Sequence, residues 1–136
     1  MSYQVFIYNA ETNYFQLDDS DVVKLAKKLK YDKLTCYNVE EFEEDLNAEY
    51  QDFVFHVDVD IDPWSGEATL GIGITVNYGK HKSSNENATY WNIIKAVARF
   101  KKDNDLTTVF DIVDENGEKC TVNNKYVEYG IQVFPY

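Results

Sequence analysis

Between residues 53 and 77 the chain alternates apolar and polar residues in two successive runs, and few folds accommodate that. Phe53, Phe55, Val57, Val59 and Ile61 alternate with Val54, His56, Asp58, Asp60 and Asp62. A period of two sends one set of side chains to a core and the other to a polar face. Leu70, Ile72, Ile74 and Val76 repeat the pattern against Gly71, Gly73, Thr75 and Asn77. Pro63-Trp64-Ser65-Gly66-Glu67 lies between the runs and has turn composition. The two runs therefore predict an antiparallel hairpin with matched faces. With a loop over Pro63 to Ala68, Asp62 faces Thr69, Asp60 faces Gly71, Asp58 faces Gly73 and His56 faces Thr75. The glycines leave a flat surface opposite Asp58 and Asp60, from which those carboxylates protrude.

The other elements are read around this hairpin. Tyr3 to Tyr8 reads as a strand, with Tyr14 to Leu17 as its short returning partner. Asp18, Asp19, Ser20 and Asp21 offer caps and first-turn acids to a helix running to about Lys30. Val22, Leu25, Ala26 and Leu29 form its apolar stripe, with its lysines on the other faces. Asn38 followed by Glu41 has the form of a capping box opening a second helix, with Val39, Phe42 and Leu46 inward. His81 to Asn87 reads as a polar loop, and Ala88 to about Lys102 as a third helix. Leu106 to Val113, Lys119 to Asn123 and Tyr126 to Phe134 read as strands, the first two joined at Asn116-Gly117. A chain of 136 residues is expected to form one domain, residues 1–136. The expected class is α+β: a mainly antiparallel sheet of about six or seven strands with three helices. The Phe53–Val76 hairpin is expected at its centre, with the first and third helices on its apolar face.

Charge narrows the function. The net charge is −11, which argues against direct nucleic-acid binding and against docking on anionic membranes. No run approaches the length of a membrane span, and the opening Met1-Ser2-Tyr3-Gln4 has neither the basic nor the apolar region of a secretory leader. A cytoplasmic location is expected. Cys36 and Cys120 form no disulfide framework or metal pattern and read as small core residues.

Several chemical motifs can be weighed. Asp58-x-Asp60-x-Asp62 begins like a calcium loop, but Pro63 replaces the turn glycine and Thr69 the bidentate glutamate. His56, Asp58 and Asp60 could ligate a divalent metal from one strand face. Same-face neighbours are about 6.5 Å apart, however, and Asp is short. Gly71-Ile72-Gly73 lacks the third glycine and the strand-to-helix turn of a phosphate loop. His56, His81, Cys36 and Cys120 complete no nucleophile–base–orienter set. No catalytic residue, metal or cofactor is assigned.

The remaining signal is one block of acid. Ten acids lie between Glu40 and Asp62, with no Lys or Arg among them: Glu40, Glu41, Glu43, Glu44, Asp45, Glu49, Asp52, Asp58, Asp60 and Asp62. The stretches Lys24 to Lys33 and Lys80 to Lys102 are instead net basic. Like charges along one helix destabilise it by about a few tenths of a kcal/mol per pair. A basic partner would offset that cost; a solvated face is the plain alternative. Tyr37, Tyr50 and Trp64 are aromatics available as anchors to the same surface. The expected function is a small acidic binding protein that inhibits a basic nuclease or nucleic-acid-binding protein by mimicking nucleic acid. In size, charge and class the chain resembles bacterial immunity proteins and phage-encoded inhibitors of host defence. Two other readings are a small divalent-metal enzyme using His56, Asp58 and Asp60, and a viral structural or assembly subunit.

Overall fold

The computed structural model describes residues 2–6, 15–66, 68–113 and 131–132. In chain order the elements are β1 (Ser2–Phe6), β2 (Phe15–Gln16), α1 (Asp19–Lys28), α2 (Val39–Glu49), β3 (Phe53–Ile61), β4 (Ala68–Val76), α3 (Tyr78–His81), α4 (Glu86–Asn104), β5 (Val109–Val113) and β6 (Ile131–Gln132). Helices and strands do mix as an α+β chain requires. The expected sheet of six or seven mainly antiparallel strands does not form. Among the described residues β3 and β4 make the one long antiparallel pair, and there are four helices, not three. The strands fall into two small sheets, β2-β4-β3 and β1-β5-β6. The second is parallel throughout, with Ser2–Phe6 registered on Val109–Val113. Alternation tells which face a residue takes but not which strand it pairs with. Pairings between residues more than a hundred positions apart leave no local trace.

Other expectations are corrected in the same way. Phe15 and Gln16 pair with Ile74 and Gly73 of β4 and not with β1. Among the described residues β4 is consequently central and β3 lies at the edge. His81, expected to open a polar loop, instead ends the short helix α3, and Glu86 and Asn87 at the other end of that loop already belong to α4. The hairpin at Asn116-Gly117, the strand Lys119 to Asn123 and Cys120 lie outside the described residues. Cys36 is exposed, not a core residue. No helix among the described residues is long and apolar enough to cross a membrane.

The inward faces are as the periodicity requires. Phe53, Phe55 and Val57 of β3 are buried with Ile72, Ile74 and Val76 of β4. Leu25 of α1, Phe42 and Leu46 of α2, and Ile93, Ile94, Val97 and Phe100 of α4 close over them. Phe100 brings α4 onto the hairpin: its ring centre lies 5.1 Å from Phe53, 5.8 Å from Phe55 and 5.1 Å from Tyr50. Rings at these separations add about 0.5–1.5 kcal/mol per pair beyond burial.

One carboxylate fixes α1 in place. Asp21 is completely buried. Its oxygens accept from the Thr107 N–H at 2.9 and 3.2 Å, the Thr108 N–H at 2.8 Å, and both threonine hydroxyls. Burial alone would raise its pKa; the Thr108 and Thr107 donors outweigh that and hold the carboxyl below the usual range. The buried Lys101 ammonium donates to the Thr108 carbonyl and sits 5.2 Å above the Phe110 ring. Burial lowers its pKa, against the opposing pull of Asp21 and Asp18. Lys24 and Lys28 of α1 donate to the carbonyls of Asp105 (2.6 Å) and Asp103 (3.2 Å), where α4 ends in a left-handed residue, Asp105. Cations suit that end of a helix. Lys24 and Lys28, expected on the other faces of α1, thus cap α4.

Candidate functional site

Helix α2 buries Phe42 and Leu46, half-buries Val39, Glu43 and Asn47, and leaves Glu40, Glu41, Glu44, Asp45 and Glu49 outside. The outer face is therefore acidic and the inner stripe runs 39, 42, 43, 46, 47, the spacing of an amphipathic helix. Asn38 stands at the helix start but makes no capping bond. Its side chain instead accepts from the Thr35 N–H at 2.8 Å and donates to the Lys33 carbonyl at 2.7 Å. The expected capping box is replaced by a turn that closes on itself.

Two inner polar residues of α2 bond the outer edge of β3. The Phe55 N–H donates to Asn47 Oδ1 at 2.8 Å, and Asn47 Nδ2 donates to the Phe55 carbonyl at 3.1 Å. The Val57 N–H donates to Glu43 Oε2 at 2.8 Å. Four residues of helix advance about 6 Å and two residues of strand about 6.6 Å, so the pair 43/47 can serve the pair 57/55. The helix runs antiparallel to the strand, and its start lies toward the hairpin turn.

The joint sets α2 beside β3, and one imidazole links an acid of the helix to an acid of the strand. His56 Nδ1 lies 3.5 Å from Glu43 Oε2, and its Nε2 lies 3.0 Å from Asp58 Oδ1. Asp58 and Asp60 are exposed on the same strand face. The observed register sets His56 opposite Gly73, Asp58 opposite Gly71 and Asp60 opposite Thr69. It is shifted by two residues from the expected one, so the polar faces still coincide. The cause is Asp62, which leaves the strand: its Oδ1 accepts from the Trp64 N–H at 2.8 Å and from the Ser65 N–H at 3.4 Å. Those bonds hold its carboxyl below the usual range. Gly71 has open space where a side chain would stand, so no bulk rises beside Asp58.

The remaining candidates divide. Asp45 accepts from the Tyr31 hydroxyl at 2.5 Å, which pushes that phenol up to about 12. Glu49 turns away to the far end of the helix. There it lines a polar cleft of about 430 Å³ with Lys28, Asp52, Lys80, Arg99 and Asp103. Tyr50 is not an exposed anchor: it packs on Phe55 and Phe100 and donates to Asn104 Oδ1 at 2.8 Å. Tyr37 and Trp64 are the opposite, 94% and 96% exposed. His81 is buried, with Nε2 3.1 Å from the Asp52 carbonyl. Among the described residues no group of three or more His, Cys, Asp or Glu side chains is arranged to hold a metal ion. Asn47 was absent from the candidates; its only signal is a polar residue in the inward stripe of an amphipathic helix. No protein-family model matches the chain, and neither does any curated protein or solved structure.

Proposed function

We propose that the protein binds a basic partner through the outer face of α2 and the polar face of β3, and thereby inhibits a nuclease or other nucleic-acid-binding protein. The observation that carries this reading is the joint at Glu43 and Asn47. It holds Glu40, Glu41 and Glu44 in fixed relation to Asp58 and Asp60. Carboxylates held in this way can stand in for phosphates, steering a basic surface to the protein and covering it. The exposed thiol of Cys36 suits a reducing compartment, and under this reading the protein works in the cytoplasm.

The test is capture from a cell extract at low salt, followed by elution with duplex DNA. A nucleic-acid-binding protein released by DNA is the expected result. Its association rate should fall steeply as salt rises, because the Debye length is about 8 Å at physiological ionic strength. Reversing Glu40, Glu41 and Glu44 to Lys should abolish association, while reversing Asp19 and Asp103, exposed on other helices, should not. Circular dichroism checks that the variants keep their helices. Association indifferent to salt and to the α2 reversal overturns the reading.

A further inference from the structure

We infer that the polar cleft at the far end of α2 binds a small zwitterion, an α-amino acid or a short peptide with both termini free. Four helices meet there. Lys28 ends α1, Glu49 ends α2, Lys80 lies on α3, and Arg99 and Asp103 stand one turn apart on α4, with Asp52 just before β3. The lining thus carries three cations and three carboxylates around about 430 Å³, the size of a small-molecule site. Opposite charges brought to one cleft would be expected to pair. Here no ammonium or guanidinium of the lining comes within 4 Å of one of its carboxylates. Lys28 is held by neutral oxygens instead, the Asp103 carbonyl at 3.2 Å and Asn104 Oδ1 at 2.7 Å, and Lys80 by Gln51 Oε1 at 3.4 Å. Asn104 is itself buried and also accepts from the Tyr50 hydroxyl, so this wall is fixed. The Arg99 guanidinium and the carboxylates of Glu49 and Asp103 have no partner among the described residues. Both signs are therefore left unpaired around one opening. A simple anion or cation meets repulsion there as well as attraction. A zwitterion is attracted at both ends: its carboxylate can take the planar fork of Arg99 in two parallel bonds, and its ammonium can take the carboxylates of Glu49 and Asp103. The cleft lies away from the outer face of α2, so this inference does not depend on the basic-partner reading.

Titration of the intact, nitrogen-labelled protein with glycine and with diglycine, followed by amide NMR shifts, tests this. At least one of the two should give saturable shifts at Gln51 and Asp52. Tighter binding of glycine assigns the site to amino acids, and tighter binding of diglycine assigns it to peptide termini. N-acetylglycine, which keeps only the negative charge, and glycinamide, which keeps only the positive, should each bind at least about tenfold more weakly, the scale of one lost charge-assisted hydrogen bond. Arg99→Gln and Glu49→Gln, both at exposed positions, should each weaken the zwitterion by about the same factor. Reversing Glu40 and Glu44 to Lys on the outer face of α2 should leave it unchanged. A single-charge analogue that binds as well as the zwitterion overturns the inference. So does binding indifferent to Arg99→Gln, or the absence of saturable shifts with both zwitterions.

Discussion

Asp21 and Glu43 do the same mechanical task in different surroundings. Each is a helix carboxylate that accepts backbone N–H groups from another segment: Asp21 from Thr107 and Thr108 just before β5, Glu43 from Val57 of β3. Asp21 is sealed from water, saturated with donors and close to a buried ammonium. The Glu43 side chain keeps 31% of its surface, and its second neighbour is an imidazole that is itself 66% exposed. The first is wholly spent on the fold. The second holds the fold and still contributes charge to a surface. Counting acids along a sequence cannot separate the two roles; what separates them is how many donors converge and whether water reaches the site.

The sharpest way to break this contrast is at Asp21. Asp21→Ala strands buried N–H and hydroxyl donors and removes the carboxylate facing Lys101, and it should cost about 3–5 kcal/mol in urea denaturation. A loss below about 1 kcal/mol would mean that water or rearrangement replaces it. The pH dependence has a definite sign. The folded pKa lies below the ordinary aspartate value of about 3.9. The stabilisation is therefore complete above that value and lost as pH falls through the folded pKa. Comparing the melting temperatures of wild type and Asp21→Asn from neutral pH downward should show their difference shrink in that acid range.

At the other junction the effects should be smaller. Asn47→Ala removes both bonds to the Phe55 backbone and should cost about 1–2 kcal/mol by the same denaturation. His56→Ala touches an exposed pair only. It should change stability by less than about 0.5 kcal/mol, and the change should vanish in high salt. A larger, salt-resistant loss would make the Glu43–His56–Asp58 chain as structural as Asp21. The smallest effect on stability is expected for Asp45→Asn. Tyr31 titrates at about 12 because it donates to Asp45, and the substitution should return it toward the ordinary value of about 10 in an NMR titration. A raised folded pKa means that any stabilisation is intact below about 10 and is lost as pH rises toward 12. The small difference in melting temperature between wild type and variant should therefore be present below about 10 and close as pH rises toward 12.

What was legible in the sequence is what short-range periodicity encodes. The inward residues of β3 and β4, the stripe of α2 and most of α4 follow from spacing alone. The parallel sheet does not, because β1 and β5 are joined only after most of the chain has intervened. Asp21 read as one more first-turn acid, since its threonine donors lie 86 and 87 residues away. Tyr50 read as an available aromatic because nothing nearby announces that Phe100 will cover it. Asp62 read as the last strand acid, although an aspartate just before a Pro-Trp-Ser turn has N–H groups within reach. Of the proposed surface, the acids of α2 and β3 were visible as charge. Their union was not, since it depends on Asn47 and Glu43 reaching a strand edge.

That edge has a consequence beyond the native fold. β3 is nine residues long, alternates apolar side chains and lies outermost in its sheet, the profile of a strand that recruits strands from other molecules. Asn47 offers Phe55 both an acceptor and a donor, as a neighbouring strand would, and Glu43 occupies the next N–H along. A chain approaching β3 there finds those groups already engaged. The helix thus covers the middle of that strand edge as well as carrying charge. Loss of Asn47 should appear in concentrated solution as fibrous aggregation before it appears as a large drop in melting temperature.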